Sequence, residues 1–558
     1  MSSRLTASQV LVVDCQSTGS TPQHGHLIEL GWARFACDVE DYDVAGHIVA
    51  LPEGASLPRM VSRITGIGRR DVEAGVSVEA AWRALARAAT AVRHESPFDF
   101  TPTVIHFKQF EEKFLEDLYS RHDQAPWFRY DIVCTHAIAQ RLLPDLPRRS
   151  LRALAGYFGF SSAQLRRSRD HVEATCFVWR HLVELLEREH DVCTWEELAT
   201  WLAESRAKRP GRRYPMPREK RLALPDAPGV YRFLRSNGDL LYVGKATSLK
   251  KRVNSHFSKK SKLSERTLEM LTQARDLAFV ETRTALEAAL LESDAIKTHA
   301  PPYNVALVEE GRAIGFSSRD LASFVEVPDD AHPIGPLPSR WALSGVETIF
   351  RLLRATPTPN VPAWVMSRAL GIMPVSAPDA ACFWEAWGLF RAQYGLSERT
   401  SLTRLERAAR VIARKLEVTP RVRRDEEELV WDVDRVVEHF EEALARAPQL
   451  VSRARWLCHL SDCEIAYCEP GGSTYALSVA KAEVTLGGAW EGPLPEPPFS
   501  ARPRAVRQRD FDVVRYDRLR VLTTELKRVV RDGGTVRIRF GAAPELEGVA
   551  LERVLRTV

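Results

Sequence analysis

Two groups of residues in this sequence have types and spacings that could carry chemistry. The first lies in LVVDCQSTGS, residues 11–20. The apolar run reads as a buried strand with Asp14 at its end, and Ser17, Thr18 and Gly19 make a turn after it. A carboxylate at such a strand end is the frame of a metal site, and a two-ion site wants a second carboxylate two residues on. That position is Gln16, so the frame is present and one ligand is missing. The second group is Tyr231, Tyr242, Lys245, Arg252, His256 and Glu292. Singly, each has an ordinary explanation: cross-strand core aromatics, a solvated basic face, a helix-surface charge. Together, in this order on a hairpin, a helix and a later helix, they are hard to obtain by accident.

The elements that must position them follow from the hydrophobic pattern. Residues 1–205 read as one α/β unit, with QVLVVDC, HLIELGWARF and TPTVIHF as strands and VEAAWRALARAATAV as a helix. Residues 206–222 form a basic, proline-rich linker in which RAKRPGRRYPMPREKR packs eight basic residues around Pro210, Pro215 and Pro217. Proline blocks a regular helix there, leaving either a solvated connector or a strap along phosphates in which Arg212 and Arg213 take part. Residues 223–306 are compact: PGVYRFLR and DLLYVGK are strands joined through Asn237-Gly238, a hairpin signal. TSLKKRVNSHF is a basic helix capped by Thr247 or Ser248, and Thr284-x-x-Glu287 makes a capping box for ALEAALLESDAIKTH. Residues 307–450 are mostly helical. Residues 451–558 combine strands with the amphipathic helix FDVVRYDRLRVLTTELKRVV.

Composition bounds the class. The chain has 558 residues, 45% hydrophobic, with 78 Lys+Arg against 73 Asp+Glu and a net charge of +5, so a nucleic-acid surface must come from clustering of charge. The nine cysteines contain no CxxC pair. Cys458, Cys463 and Cys468, the densest group, lie in WLCHLSDCEIAYC, which alternates like strands, against a zinc site. No signal peptide and no apolar run of membrane length is present, and a reducing cytoplasmic location is expected.

Residues 228–304 resemble the GIY-YIG nuclease domain, and within it bacterial UvrC excinuclease subunits and their Cho homologues. Gly229-Val230-Tyr231 stands for the first signature triplet and Tyr242-Val243-Gly244 for the second. YVGKATSLKKRVNSHF follows the UvrC-type run, and ALLESDAIKTHAPPYNV matches the metal helix. The resemblance implies Tyr231, Tyr242, Lys245 and Arg252 as catalytic residues. It places Glu292 on the metal ligand for one Mg²⁺ or Mn²⁺, and Asn304 on the terminal asparagine. Gly229 and Gly244 would be structural, and Lys250 and Lys251 would bind DNA. His256 stands where UvrC proteins usually have tyrosine, and it could bond a phosphate or shuttle a proton. The chemistry needs these types, because phosphodiester hydrolysis requires an activated water and neutralisation of charge in the transition state. A free tyrosine near pKa 10 is a poor base, but beside a divalent ion and a lysine its phenolate or a metal-bound hydroxide becomes accessible.

The first domain resembles the DnaQ-type, DEDDh-class 3′–5′ exonucleases. RITGIGRRDVEAG matches a structural stretch of that family, and HFKQFEEKFL its His-Asn-x-x-Phe-Asp run, which puts Glu111 where aspartate belongs. In LRRSRDHVEAT the family frame places Arg166 on the catalytic histidine and His171 on the last aspartate. Asp170 is one residue away, so a slip of register would rescue a ligand. Asp14 is retained, but with Gln16, Arg166 and His171 the site is short of charge and lacks its base.

The resemblances imply a multidomain α/β protein: an RNase H-like exonuclease-type domain, a small α+β GIY-YIG domain, and a C-terminal helical and α+β module. The expected function is a metal-dependent DNA repair endonuclease with DNA as partner and UvrA/UvrB-type proteins or a polymerase subunit as loading factors. The alternatives are an active 3′–5′ exonuclease in which the GIY-YIG domain holds DNA, and a non-enzymatic repair adaptor.

Overall fold

The computed structural model describes residues 4–123, 128–161, 165–204, 213–258, 263–307, 312–356, 358, 360–372, 377–418, 431–489, 511–540 and 545–557. The chain divides into two compact units, Met1–Glu281 with Pro301–Val305 and Thr282–Ala300 with Ala306–Val558. Among the described residues no helix is long and apolar enough to cross a membrane.

In the first unit the run around Asp14 forms β1 (Val10–Ser17), joined by β2 (Leu27–Phe35), β3 (Val44–Ile48), β4 (Thr101–Ile105) and β5 (Tyr130–Cys134). The sheet order is β3-β2-β1-β4-β5, with the first three strands antiparallel and β4 and β5 parallel to β1, the RNase H-like arrangement. Side chains alternate along a strand. Val10 and Val12 therefore join a core with Val172, Trp179 and Leu186 of the helix Ser168–His190. Leu11, Val13 and Cys15 join another, with Trp82 and Leu85 of the helix Val78–Glu95. The same alternation aims Asp14 toward the helix Ser168–His190.

The start of that helix is fixed by Glu29, a residue of β2 that is 3% exposed. Its carboxylate accepts the Arg167 guanidinium at 2.9 and 2.7 Å and the Ser168 N–H at 2.9 Å. Gly31 lets strand and helix meet, since a Cβ there would fall 2.8 Å from that of Ser168.

The hairpin follows as β6 (Gly229–Leu234) and β7 (Leu240–Ala246), with β8 (Asp276–Glu281) on the far side of β6, all antiparallel in the order β7-β6-β8. Gly238 takes the positive φ of 88° that the turn requires. Ser248, not Thr247, caps the helix Leu249–Ser255, its Oγ accepting the Lys251 N–H.

Arg212 lies outside the described residues. The part of the linker that is described is folded: Met216 is buried, Arg218–Leu222 is a short helix begun after Pro217, and Arg221 stacks over Phe257 and bonds Asn254. The expectation that proline keeps this whole segment extended is corrected from Arg218 on, because proline obstructs a helix interior but not its start.

In the second unit the helix Ala285–His299 begins at Thr284, whose Oγ accepts the Glu287 N–H. The Glu287 carboxylate bonds the N–H of Arg283, one residue short of the reciprocal bond a full capping box makes. Leu286 and Leu290 enter a core with Leu519, Leu522 and Ile465. Lys297, on the same helix, pairs with fully buried Asp517 at 3.2 Å, and Arg312 binds the same carboxylate at 2.6 and 3.0 Å. The helix that carries Glu292 is thus held by apolar contacts at its start and a buried ion triad near its end.

A small sheet follows from β9 (Gly315–Ser317), β10 (Phe324–Val325) and β11 (Ile334–Leu337), and then helices from Ser344 to Leu460. The last of these, Val433–Leu460, runs unbroken past Pro448. The expected boundary between 450 and 451 falls inside it, and the strand pattern read in WLCHLSDCEIAYC starts only at Cys463, with Cys458 helical. Buried Ala454, Trp456 and Leu457 keep the helix going beyond the proline. The final sheet has β12 (Cys463–Cys468), β13 (Thr474–Ala480), β14 (Glu483–Ala489), β15 (Thr535–Arg539) and β16 (Leu546–Glu547), ordered β14-β13-β12-β15-β16. β15 runs antiparallel to β12, unlike the parallel central pair of the first sheet.

Removing the shared anion of the triad tests this anchoring. Asp517→Ala leaves Lys297 buried without its carboxylate, and urea unfolding should show a loss of about 3 kcal/mol, the cost of a broken buried pair. A change below about 0.5 kcal/mol, the range of exposed surface substitutions, would mean the triad does not hold the helix.

Candidate active site

At the hairpin one missing side chain sets the geometry. Tyr231 and Gly244 face each other across β6 and β7. A Cβ at Gly244 would fall 2.5 Å from the Tyr231 Oη and 2.7 Å from the Tyr242 Cε1. Glycine therefore lets the Tyr231 phenol lie across β7, its ring 6.0 Å from that of Tyr242. Gly229 serves similarly, since a Cβ there would meet the Val280 carbonyl at 2.4 Å.

The Tyr231 side chain is completely buried, and its hydroxyl lies 2.8 Å from His256 Nε2. Burial pushes the His256 imidazole down to about 4, and the charge of Arg252 adds to this. At neutral pH the ring is uncharged, and its Nε2 can accept the Tyr231 hydrogen. Burial alone would lower the Arg252 guanidinium, but electrostatic attraction and a hydrogen bond to Tyr231, and then the same to Tyr242, outweigh that and hold it up. A phenol that receives a bond from a cation and can give its hydrogen to a neutral imidazole is prepared to share charge. Arg252 remains on an exposed position of its helix, within reach of an anion.

Asn304 acts on the backbone. Its Oδ1 accepts the Val243 N–H at 3.0 Å and its Nδ2 donates to the Val243 carbonyl at 2.9 Å. The Tyr303 N–H donates to the Leu241 carbonyl at 3.1 Å. Both residues flanking Tyr242 are thereby fixed along the outer edge of β7. Alternation starts Lys245, opposite Val230, from the other face of the strand than Tyr242. Lys250 is exposed, Lys251 pairs with Asp226 at 3.4 Å, and Arg213 is exposed with its N–H on the Asp145 carbonyl. Glu292 lies half-buried on the helix Ala285–His299 of the second unit.

The first domain gathers Asp14, Gln16, Glu111 and His171 around a cavity of about 710 Å³. His171 Nδ1 lies 3.0 Å from Asp14 Oδ1, and Gln16 Nε2 donates to Asp14 Oδ2 at 3.3 Å. Burial alone would lower the His171 imidazole, but Asp14 outweighs it and holds the ring up, favouring the cation. Burial, and then Asp14 beside it, push the Glu111 carboxyl well above the usual range, favouring a proton held between the two acids. The Asp170 carboxylate accepts the N–H groups of Arg166 and Arg167 and caps the helix, so the slip of register that would make it a ligand does not occur. Arg166 is exposed and does not line the cavity. A pair of divalent ions does not fit here. The one retained aspartate is already engaged by His171 and Gln16, and a two-ion site needs several free carboxylates.

Sequence reasoning missed Glu29, Asp517, Glu269 and Tyr303. A carboxylate inside the apolar run HLIEL was a local signal for Glu29. The other three act through partners distant in the chain.

Residues 227–305 match the UvrC-like GIY-YIG domain. Over 377 residues the chain is 29% identical to a Mycobacterium tuberculosis protein named a bifunctional exonuclease/endonuclease, covering 63% of this chain and 53% of that one. It is 36% identical over 151 residues to the UvrABC system protein C of Carboxydothermus hydrogenoformans, 25% of each chain. The chain thus spans about half or less of the length of these relatives. Among solved structures it is similar to the magnesium-bound GIY-YIG N-terminal endonuclease domain of Thermotoga maritima UvrC. The identity is 34%, over 16% of this chain and 94% of that one, with a TM-score of 0.15. Residues 227–305 are a UvrC-like GIY-YIG domain, and in this chain that domain follows an α/β domain with the strand order β3-β2-β1-β4-β5.

Proposed function

We propose that the protein is a divalent-metal-dependent endonuclease that hydrolyses DNA phosphodiester bonds at the GIY-YIG hairpin, acting in repair with a UvrA/UvrB-type loading partner. Its exonuclease-like cleft would hold DNA or a partner without cutting. The observation that carries this reading is the Tyr231 phenol set between Arg252 and neutral His256. The exposed guanidinium of Arg252 binds a non-bridging phosphate oxygen and neutralises charge as the transition state forms. Tyr242, bonded to the same guanidinium, orients or deprotonates the attacking water. His256 draws on the Tyr231 hydrogen and keeps that phenol's oxygen directed toward Arg252.

Glu292 would hold one Mg²⁺ or Mn²⁺. Among the described residues no group of three His, Cys, Asp or Glu forms a metal cage, and a lone carboxylate completed by water suits Mg²⁺, which dehydrates reluctantly. When bound, the ion supplies charge neutralisation at the phosphate and lowers the pKa of water.

Purified protein should cut flapped, nicked or damaged duplexes with Mg²⁺ or Mn²⁺. Glu292→Gln should slow cutting about 10²-fold at limiting metal, while Asp14→Ala stays within about twofold of the unaltered protein. Normal cutting by the first variant, or equal loss in both, would contradict the assignment.

The pH profile gives a second check. His256 takes up a proton only as pH falls through about 4, so its acceptor role persists across the range where an ordinary histidine titrates, near 6.5. The acid limb of kcat/KM should therefore show no step near 6.5 due to this residue. A step there that disappears in His256→Tyr would contradict the geometry.

A further inference from the structure

The exonuclease-like cleft and the strand that carries Tyr242 are joined by a short path of partly buried hydrogen bonds. The helix Glu265–Gln273 of the GIY-YIG domain lies against the helix Leu151–Phe158 of the first domain. Gly156 permits the approach, since a Cβ there would fall 1.9 Å from the Gln273 Oε1. A glycine inside a helix costs roughly 1 kcal/mol relative to alanine, so its presence needs such a reason. Across this contact Arg148 pairs with Glu265 at 2.9 Å, and Arg235 reaches the Phe160 carbonyl at 3.2 Å.

Glu269 is the centre of the path. It lines the same cavity as Asp14 and His171, although it comes from the other domain. One carboxylate oxygen accepts the Ser150 hydroxyl at 2.6 Å, and the other accepts the Tyr303 hydroxyl at 2.9 Å. Arg152 approaches it to 3.9 Å. Tyr303 is followed directly by Asn304, and these two residues hold Leu241 and Val243 on either side of Tyr242. β7 is an edge strand, and this clamp satisfies the Leu241 carbonyl and the Val243 N–H and carbonyl on its open side.

We propose that Glu269 is a positioning residue. It transmits the state of the exonuclease-like cleft to Tyr242 through Tyr303 and Asn304, so the first domain sets the rate of cutting without cutting itself. The effect on catalysis rests on the function proposed above, whereas the coupling to β7 does not. Anything that draws Ser150 or Arg152 away from Glu269 loosens the clamp, and it does so from the first domain. Burial, and then Glu269 beside it, raise the Tyr303 phenol and keep it protonated as the donor this path requires.

The test removes single oxygens, because Glu269→Ala would leave two inward donors unpaired and could disrupt the interface itself. Ser150→Ala and Tyr303→Phe should each speed amide hydrogen exchange at Val243 about tenfold, a local opening of the clamped edge. Each should also lower kcat about tenfold with KM for DNA within about twofold. The double variant should be no worse than the more damaging single one, since both act through Glu269. Unchanged exchange at Val243 in both variants overturns the proposal, as do losses that multiply in the double variant. Wild-type kcat in variants whose unaltered parent cuts also overturns it. If the unaltered protein cuts no DNA, the functional reading fails, and exchange at Val243 still decides the coupling.

Discussion

The hairpin depends on the bare Cα of Gly244. Because no side chain stands there, a completely buried phenol crosses β7 and meets both an imidazole and a guanidinium. Any larger residue would press on Tyr231 and Tyr242 together, and close packing leaves the buried Tyr231 no room to retreat. The rest of the domain serves this crossing. The Asn-Gly turn fixes the register, Ser248 starts the helix that delivers Arg252 and His256, and Asn304 holds the free edge of β7. In the second unit, the helix that bears Glu292 is fixed by the ion triad around Asp517.

The hairpin and the cleft of the first unit solve the problem of acidic and basic groups in opposite ways. At the hairpin the cation is an exposed arginine beside phenols that are neutral by default, so the arrangement favours an incoming anion. In the first-domain cleft the aspartate is engaged by a His171 imidazole whose pKa it holds up, a second acid is biased toward holding its proton, and an amide fills the place of a ligand. Few free carboxylate oxygens are left there for divalent ions. The question raised by LVVDCQSTGS has an answer in these terms. The sheet needs its central strand regardless of catalysis, and Asp14 is retained with a partner that makes its burial tolerable.

Much of this was legible in the sequence because it is local. Strand alternation, the Asn-Gly turn and the cap of the basic helix each sit within a few residues of what they control. The tyrosines and Arg252, which the fold brings together, could be picked out by order and spacing. Asp517 could not, since it lies far along the chain from Lys297 and reads as one more charge on an amphipathic helix. Glu269 and Tyr303 carried no local signal, since their hydrogen bond joins positions far apart in the chain and the bond from Ser150 to Glu269 forms only where the two domains meet. Pro448 misled in the other direction, because buried residues beyond it carry the helix through. The prolines near 215 suggested an extended arm, and the chain instead starts a helix directly after one of them.

The central claim is that metal chemistry belongs to Glu292 and has left the first domain. Counting bound Mn²⁺ by electron paramagnetic resonance in the unaltered protein, in Glu292→Gln and in Asp14→Ala tests it most directly. The account predicts one ion per chain, lost with Glu292→Gln and kept with Asp14→Ala. Two further ions that disappear with Asp14→Ala would contradict it.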